Sequence, residues 1–298
     1  MSSRPTTKRK ILRRTLIAFF IIVAVDQLLF WTLATRPAGS LRKLLSLTHA
    51  PEPPYYELER NLTTSYESWG QKNLSQIHTN SLGLRERERD PQRASGKKRV
   101  IVTGDSIAFG IGVNDEDAFP QQMERQLEAR GDSHIEVWNA GVPGYAMADH
   151  LGFLRRRLLP LRPDLIVLQL SRNDNAIPMP LSETFMTSLR FSGLSRTWMI
   201  YRFNFVEDTT LFSKSMRGYL EECRNAAIKL LVVFEGLPEE NRAEFFNVTH
   251  EYGIEPIEIG GDAYPKLPDD PHYNAEGNKR VAARLVPEVL SLLGEPRE

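Results

Sequence analysis

Residues 100–106 read VIVTGDS, a short apolar run that passes directly into Gly104, Asp105 and Ser106. An apolar run that ends in turn-forming residues predicts a buried strand followed by a tight turn. Further strands are predicted at 135–138, 164–170, 230–234 and 254–259, with helical patterns at 119–131, 146–159, 214–229, 239–252 and 274–293. This alternation predicts an α/β fold in which a five-stranded parallel sheet carries helices on both faces, a three-layer αβα sandwich.

Polar segments follow four of these strands. Ser106 follows the first, and the segments 139–144 (NAGVPG), 171–174 (SRND) and 269–274 (DDPHYN) follow the second, third and fifth. Because ligands bind at the carboxyl ends of strands in open parallel sheets, the four segments are predicted to meet at one edge. Each motif alone is weak, since Gly-Asp-Ser occurs in ordinary turns and Asp-x-x-His also fits a helix N-cap or half a metal site. Their order along the chain is the specific signal.

Together these segments resemble the SGNH hydrolases, also called the GDSL esterase superfamily, over roughly residues 99–293. The resemblance implies a flavodoxin-like SGNH fold and a catalytic triad of Ser106, Asp269 and His272. It also implies an oxyanion hole formed by the Ser106 amide, the Gly144 amide and the Asn173 side chain. Phosphate-binding patterns are not met, because the third glycine of a dinucleotide motif beginning at 110 is replaced by aspartate and no Gly-Lys-Ser/Thr occurs.

The residue types suit ester chemistry. A serine hydroxyl is a weak nucleophile until a base removes its proton, and imidazole, with an intrinsic pKa of about 6.5, serves at neutral pH. Asp269 would fix the tautomer of His272 and stabilise the imidazolium. One position departs from the family, because Ser171 stands where the third segment usually has glycine. The pocket around Asn173 is therefore expected to be narrower or its amide tilted.

The expected function is a serine ester hydrolase that acts through an acyl-enzyme, without cofactor or metal. Its favoured substrate is a short acyl ester of an envelope saccharide, with a lipid ester as another possibility. Two alternatives stay open: an extracytoplasmic O-acyltransferase with the same triad, and a catalytically silent binding domain of the same fold. Residues 174–213 are long for a connection and rich in bulky apolar side chains, including Trp198 and Phe203, so a cap over the pocket is predicted.

The N-terminus has the pattern of a membrane anchor. Residues 1–14 carry six basic side chains, and the apolar stretch 15–34 would span about 30 Å as a helix. The positive-inside rule then predicts a single-pass protein with a cytoplasmic N-terminus and an extracytoplasmic catalytic domain. Asp26 and Gln27 weaken this interpretation. A cleaved signal peptide is the alternative, although residues 32–34 form a poor cleavage site.

The remaining organisation follows from composition. Residues 35–96 are predicted to be a linker and pre-domain segment, the charged run 85–99 a solvated surface, and 97–298 the catalytic domain. The 38 basic and 38 acidic side chains cancel, so no nucleic-acid partner is expected. The single cysteine, Cys223, is predicted to be a packed thiol without chemistry.

Overall fold

The computed structural model describes residues 15, 17–28, 43–66, 74–178, 207–237 and 239–296. The strands are β1 (Leu45–Leu47), β2 (Tyr56–Leu58), β3 (Thr63–Tyr66), β4 (Ser75–His78), β5 (Lys98–Gly104), β6 (Ile135–Gly141), β7 (Leu165–Ser171), β8 (Lys229–Glu235) and β9 (Ile257–Glu258). The helices are α1 (Ser106–Phe109), α2 (Phe119–Arg130), α3 (Met147–Phe153), α4 (Thr209–Asn225), α5 (Glu239–Glu251) and α6 (Ala275–Leu293). A π-helical turn (Leu154–Leu158) and a 3₁₀ turn (Leu159–Leu161) extend α3.

The central sheet has the strand order β6-β5-β7-β8-β9, and all of its pairings are parallel. The predicted five-stranded parallel sheet is therefore confirmed. The chain runs from β5 to β6 on one side and then returns to place β7 on the other side of β5. Strand order thus reverses at the carboxyl end of β5, and this is where open α/β sheets form a ligand-binding crevice.

Two apolar layers cover the sheet, because side chains alternate along each strand. On β5, Val100 and Val102 pack in the layer that α2 and α6 cover, whereas Ile101 packs in the layer of α3, α4 and α5. Cys223 lies in the second layer and is buried, as predicted, and burial raises the pKa of its thiol to about 12.

Local chemistry sets the helix ends. Helix α2 has Pro120 in its first turn and ends at Gly131, whose φ of 96° is left-handed. Helix α4 begins five residues before the predicted start at Lys214, because the Asp208 carboxylate accepts a hydrogen bond from the Leu211 amide and caps it. The apolar period alone does not reveal such a cap.

The segment before β5 forms two antiparallel hairpins, β1 with β2 and β3 with β4. Its apolar side chains join the core on the α3 side of the sheet: Leu44, Tyr56, Leu58, Tyr66, Ile77 and Leu84. The Tyr56 hydroxyl donates to the Pro143 carbonyl at 3.1 Å, and the Tyr145 hydroxyl donates to the Tyr56 carbonyl at 2.7 Å. Part of the predicted linker therefore supports the loop after β6.

The prediction that residues 85–99 form a solvated surface is wrong for two of its arginines. Arg85 and Arg99 are both fully buried. The Arg85 guanidinium donates to Asp115 and to the carbonyls of residues 109, 110 and 113. Arg99 donates to Glu136 and to the carbonyls of residues 90, 91 and 161. Backbone carbonyls supply most of the partners, and charge patterning in a sequence does not show them.

The predicted anchor is described only in part, as residue 15 and a helical stretch at 17–28. Within the described part of the chain, no helix is both long enough and apolar enough to cross a membrane. The rest of the predicted anchor, and residues 179–206 of the predicted cap, lie outside the described residues.

Candidate active site

Ser106 lies at the reversal point of the sheet, as the first residue of α1 directly after β5. The Asp105 side chain caps this helix by accepting from the Ile107 amide at 2.9 Å. On β7, Gln169 Oε1 accepts from the amides of Asp105 and Ala108. A Cβ on Gly104 would lie 2.5 Å from that oxygen, so the close approach requires glycine. The turn that carries Ser106 is therefore held by contacts from both Asp105 and Gln169.

His272 faces Ser106 across the pocket. Its Nε2 lies 2.8 Å from Ser106 Oγ, within hydrogen-bond distance. On the other side of the ring, Nδ1 donates to Asp270 Oδ1, and the His272 backbone amide donates to the same oxygen at 2.9 Å. Carboxylate, imidazole and hydroxyl thus form one chain of hydrogen bonds, the arrangement that activates a serine.

The carboxylate in this chain belongs to Asp270, whereas the sequence prediction assigned that position to Asp269. Asp269 is exposed and has a left-handed φ of 56°. The turn there directs its side chain to solvent, while Asp270 is buried and bonds the amide two residues on, as in an Asx turn. The sequence carries no signal that separates the two aspartates, because the choice depends on the left-handed backbone torsion at Asp269.

The two other predicted oxyanion-hole residues lie on neighbouring loops. Asn173 lines the pocket with Ser106 and His272, and its Nδ2 donates to the Tyr145 carbonyl at 2.9 Å. Gly144, with a left-handed φ of 79°, directly precedes Tyr145. The Asn173 bond therefore ties the loop after β7 to the turn that contains Gly144. Gly144 itself is not among the side chains and backbone that line the pocket.

The pocket has a volume of about 360 Å³ and a charged wall that the sequence analysis missed. Glu235, the last residue of β8, pairs with Lys266 Nζ at 2.6 Å. Arg172 and Glu207 also line the pocket. Glu235 follows the fourth predicted strand directly, so the strand-end rule could have singled it out.

Buried acidic groups lie behind Asn173. Asp174 and His150 are fully buried, and Asp174 Oδ1 lies 3.2 Å from His150 Nε2. Burial raises the pKa of Asp174 to about 6, although His150 opposes the shift. Burial likewise raises the pKa of Asp149 to about 7. None of these groups lines the pocket.

Among the residues that the structure describes, no group of three or more His, Cys, Asp or Glu side chains is arranged to hold a metal ion.

The geometry agrees with comparisons to known proteins. Residues 102–284 match the model of the GDSL-like Lipase/Acylhydrolase family, and the chain belongs to this family. None of the curated proteins matches the chain. The psychrotrophic esterase EstA from Pseudoalteromonas sp. has a similar fold, with 13% identity, a TM-score of 0.50, and coverage of 67% of this chain and 100% of that chain.

Two further solved structures have TM-scores below 0.5. The acetyl xylan esterase AlAXEase has 19% identity and a TM-score of 0.46, with coverage of 63% of this chain and 97% of that chain. A two-domain esterase active on acetylated mannans has 14% identity and a TM-score of 0.44, with coverage of 67% of this chain and 51% of that chain.

Proposed function

We propose that the chain is a serine ester hydrolase that forms an acyl-enzyme on Ser106. The observation that carries the proposal is the hydrogen-bonded chain from Asp270 through His272 to Ser106 Oγ, 2.8 Å from His272 Nε2. Membership of the GDSL-like Lipase/Acylhydrolase family supports the same class of reaction.

The geometry suits the two half-reactions of ester hydrolysis. Ser106 Oγ attacks the carbonyl carbon while His272 Nε2 takes its proton, and Asp270 stabilises the imidazolium that forms. When the tetrahedral intermediate collapses, Nε2 returns the proton to the leaving alcohol. A water molecule then attacks the acyl-enzyme with the same imidazole as base, which releases the acid and restores Ser106.

The developing oxyanion needs hydrogen-bond donors. Ser106 N, Gly144 N and Asn173 Nδ2 are the proposed donors, each worth about 3–4 kcal/mol when aligned in the transition state. Asn173 Nδ2 carries two hydrogens and gives one to the Tyr145 carbonyl. The second hydrogen is the one available to the substrate.

The pocket wall supports a polar alcohol as the leaving group. Because His272 protonates that alcohol, the alcohol part of the ester faces the loop that carries both His272 and Lys266. Lys266 Nζ and the Glu235 carboxylate present a donor and an acceptor side by side, a combination that suits hydroxyl groups. We therefore favour a short acyl ester of a saccharide over a lipid ester.

We also propose that residues 15–34 anchor the chain in a membrane with the catalytic domain outside the cytoplasm. Support comes from the apolar stretch and the basic residues that precede it. Protease added to spheroplasts should digest the domain while leaving cytoplasmic markers intact. Full protection of the domain, or a soluble product that begins near residue 35, would contradict the anchored topology.

The central test compares the wild type with Ser106→Ala on an ester panel from acetyl to long-chain acyl groups. Turnover should fall by a factor on the order of 10⁴ while the circular dichroism spectrum stays unchanged. Labelling by a fluorophosphonate, located by mass spectrometry, should occur at Ser106. Retention of more than a few per cent of activity in the variant would overturn the proposal. The same panel with a saccharide acceptor distinguishes hydrolysis from acyl transfer.

A further inference from the structure

Ser171 occupies a bridging position between the two halves of the site. It is the last residue of β7, and its Oγ lies 2.5 Å from Asp105 Oδ2 and 2.7 Å from Asn173 Oδ1. A hydroxyl carries one hydrogen, so it donates to one of these oxygens at a time. Asp105 belongs to the nucleophile turn and Asn173 to the next loop. The hydroxyl therefore stands between the nucleophile and the proposed oxyanion donor.

The Asn173 amide has a polar neighbour at each end, and at Oδ1 it shares the single Ser171 hydroxyl hydrogen with Asp105. Oδ1 faces the Ser171 hydroxyl, and Nδ2 faces the Tyr145 carbonyl at 2.9 Å. A flipped amide would place Oδ1 against that carbonyl without a hydrogen between them, so the contacts select a single orientation. The χ2 torsion of asparagine is soft, and without the contact at Oδ1 the amide would be fixed at one end only.

Ser171 is itself well anchored. Its backbone amide donates to Asp174 Oδ2 at 2.6 Å, and its side chain is largely buried. Asp174 is held in turn next to His150 on α3. The Ser171 hydroxyl is thus a fixed point from which the Asn173 amide can be oriented.

We propose that Ser171 is a positioning residue, which acts through Asn173 by holding the amide so that its second Nδ2 hydrogen points to the substrate oxyanion. The inference rests on the proposed esterase function and deepens it.

A double-mutant cycle tests the inference. Ser171→Ala should lower kcat for 4-nitrophenyl acetate about fivefold, the scale of one lost hydrogen bond, with KM within about twofold of wild type. Asn173→Ala should lower kcat by a factor on the order of 10². In the Asn173→Ala background the serine substitution should change kcat less than about twofold, because the group it positions is gone.

Controls separate positioning from general destabilisation. Ser171→Gly removes the same hydroxyl and gives a second variant in case the alanine variant folds poorly. Ser171→Thr keeps the hydroxyl, so its kcat should stay close to that of wild type. Ser215→Ala removes a buried serine on α4 that does not line the pocket, and it should leave kcat unchanged. The rate of fluorophosphonate labelling at Ser106 should follow kcat through the series.

The outcomes are distinguishable. An equal loss in both backgrounds, or no loss from either Ser171→Ala or Ser171→Gly, overturns the positioning role while leaving the esterase proposal intact. A wild-type protein that hydrolyses no ester and is not labelled at Ser106 overturns the proposed function, and the inference with it.

Discussion

Two groups of buried charges differ in how their polar atoms are satisfied. Arg85 and Arg99, the arginine pair, each donate four hydrogen bonds, three of them to backbone carbonyls. Asp149, His150 and Asp174, the acid–histidine group, are also buried, but Asp149 Oδ1 and His150 Nδ1 have no hydrogen-bond partner among the described residues.

The difference follows from what each group contacts. The arginine pair fastens loops to the sheet, and each guanidinium also lies over an aromatic ring, Arg85 over Phe109 and Arg99 over Trp138. In the acid–histidine group, Asp149 and Asp174 each accept one backbone amide, and burial raises the pKa of both carboxyl groups. The fully bonded arginines thus hold the scaffold together, whereas the incompletely bonded group lies behind Asn173 and outside the pocket lining.

The largest expected effect concerns Asp270, the acid of the proposed triad. It tests whether removing a charge at the site lowers kcat without lowering the free energy of unfolding. Asp270→Asn should lower kcat by a factor on the order of 10³–10⁴, because an amide nitrogen facing Nδ1 favours the wrong imidazole tautomer. Asp269→Asn is the matched control and should stay within about threefold of wild type. Steady-state kinetics on 4-nitrophenyl acetate decides the pair, and a larger loss in Asp269→Asn would restore the sequence-based assignment.

The arginine pair should show the opposite behaviour, a loss of stability. Arg85→Met removes the donor from Asp115 Oδ1 and from three carbonyls, and the free energy of unfolding should fall by about 3–5 kcal/mol. Arg87→Met is the control, because Arg87 is largely exposed and its removal should change stability by less than about 0.5 kcal/mol. Guanidinium denaturation measures both variants. Equal losses of unfolding free energy in the two variants would show that burial does not decide how much an arginine of this charged run stabilises the fold.

The acid–histidine group should make stability depend on pH. The pKa of Asp149 is about 7 in the folded chain and about 3.9 when unfolded. Between these values the folded state holds a proton that the unfolded state has released, so the free energy of unfolding falls as pH rises from about 4 to 7. Asp149→Asn should recover on the order of 4 kcal/mol at pH 8 and almost nothing at pH 4.

Urea denaturation of wild type and Asp149→Asn at pH 4, 6 and 8 measures this difference. If the difference in unfolding free energy between the two proteins were the same at every pH, the raised pKa of Asp149 would be contradicted. Burial also raises the pKa of Asp174, so the Asp149→Asn variant should keep part of the dependence of unfolding free energy on pH.

The smallest expected effect concerns the charged wall of the pocket. Glu235→Gln should raise KM for an acetylated saccharide about three- to tenfold, because one hydrogen bond to a hydroxyl is weakened. KM for 4-nitrophenyl acetate, which has no hydroxyl groups, should stay within about twofold. If both substrates respond alike, Glu235 shapes the pocket without selecting the alcohol.

Much of the fold could be predicted because it rests on periodic apolar residues. The runs that became β5 to β8 are continuous and buried, and residues near their ends supply Ser106 and Asn173. The hairpins before β5 could not be predicted, since their strands are three or four residues long and their core side chains are widely spaced. The choice between Asp269 and Asp270 depends on one backbone torsion, which no residue pattern encodes.

The hydrogen bonds that join Tyr56 to Pro143 and Tyr145 show that the catalytic domain depends on the segment before β5. A recombinant fragment starting at residue 97 would contain every triad residue but would expose the core that Leu44, Leu58 and Ile77 now cover. It would also remove the Tyr56 carbonyl, which accepts the hydrogen bond of the Tyr145 hydroxyl. Tyr145 directly follows Gly144 in the chain. The minimal autonomous enzyme therefore begins before Leu44, and domain boundaries drawn at the first strand of the sheet would yield an unstable product.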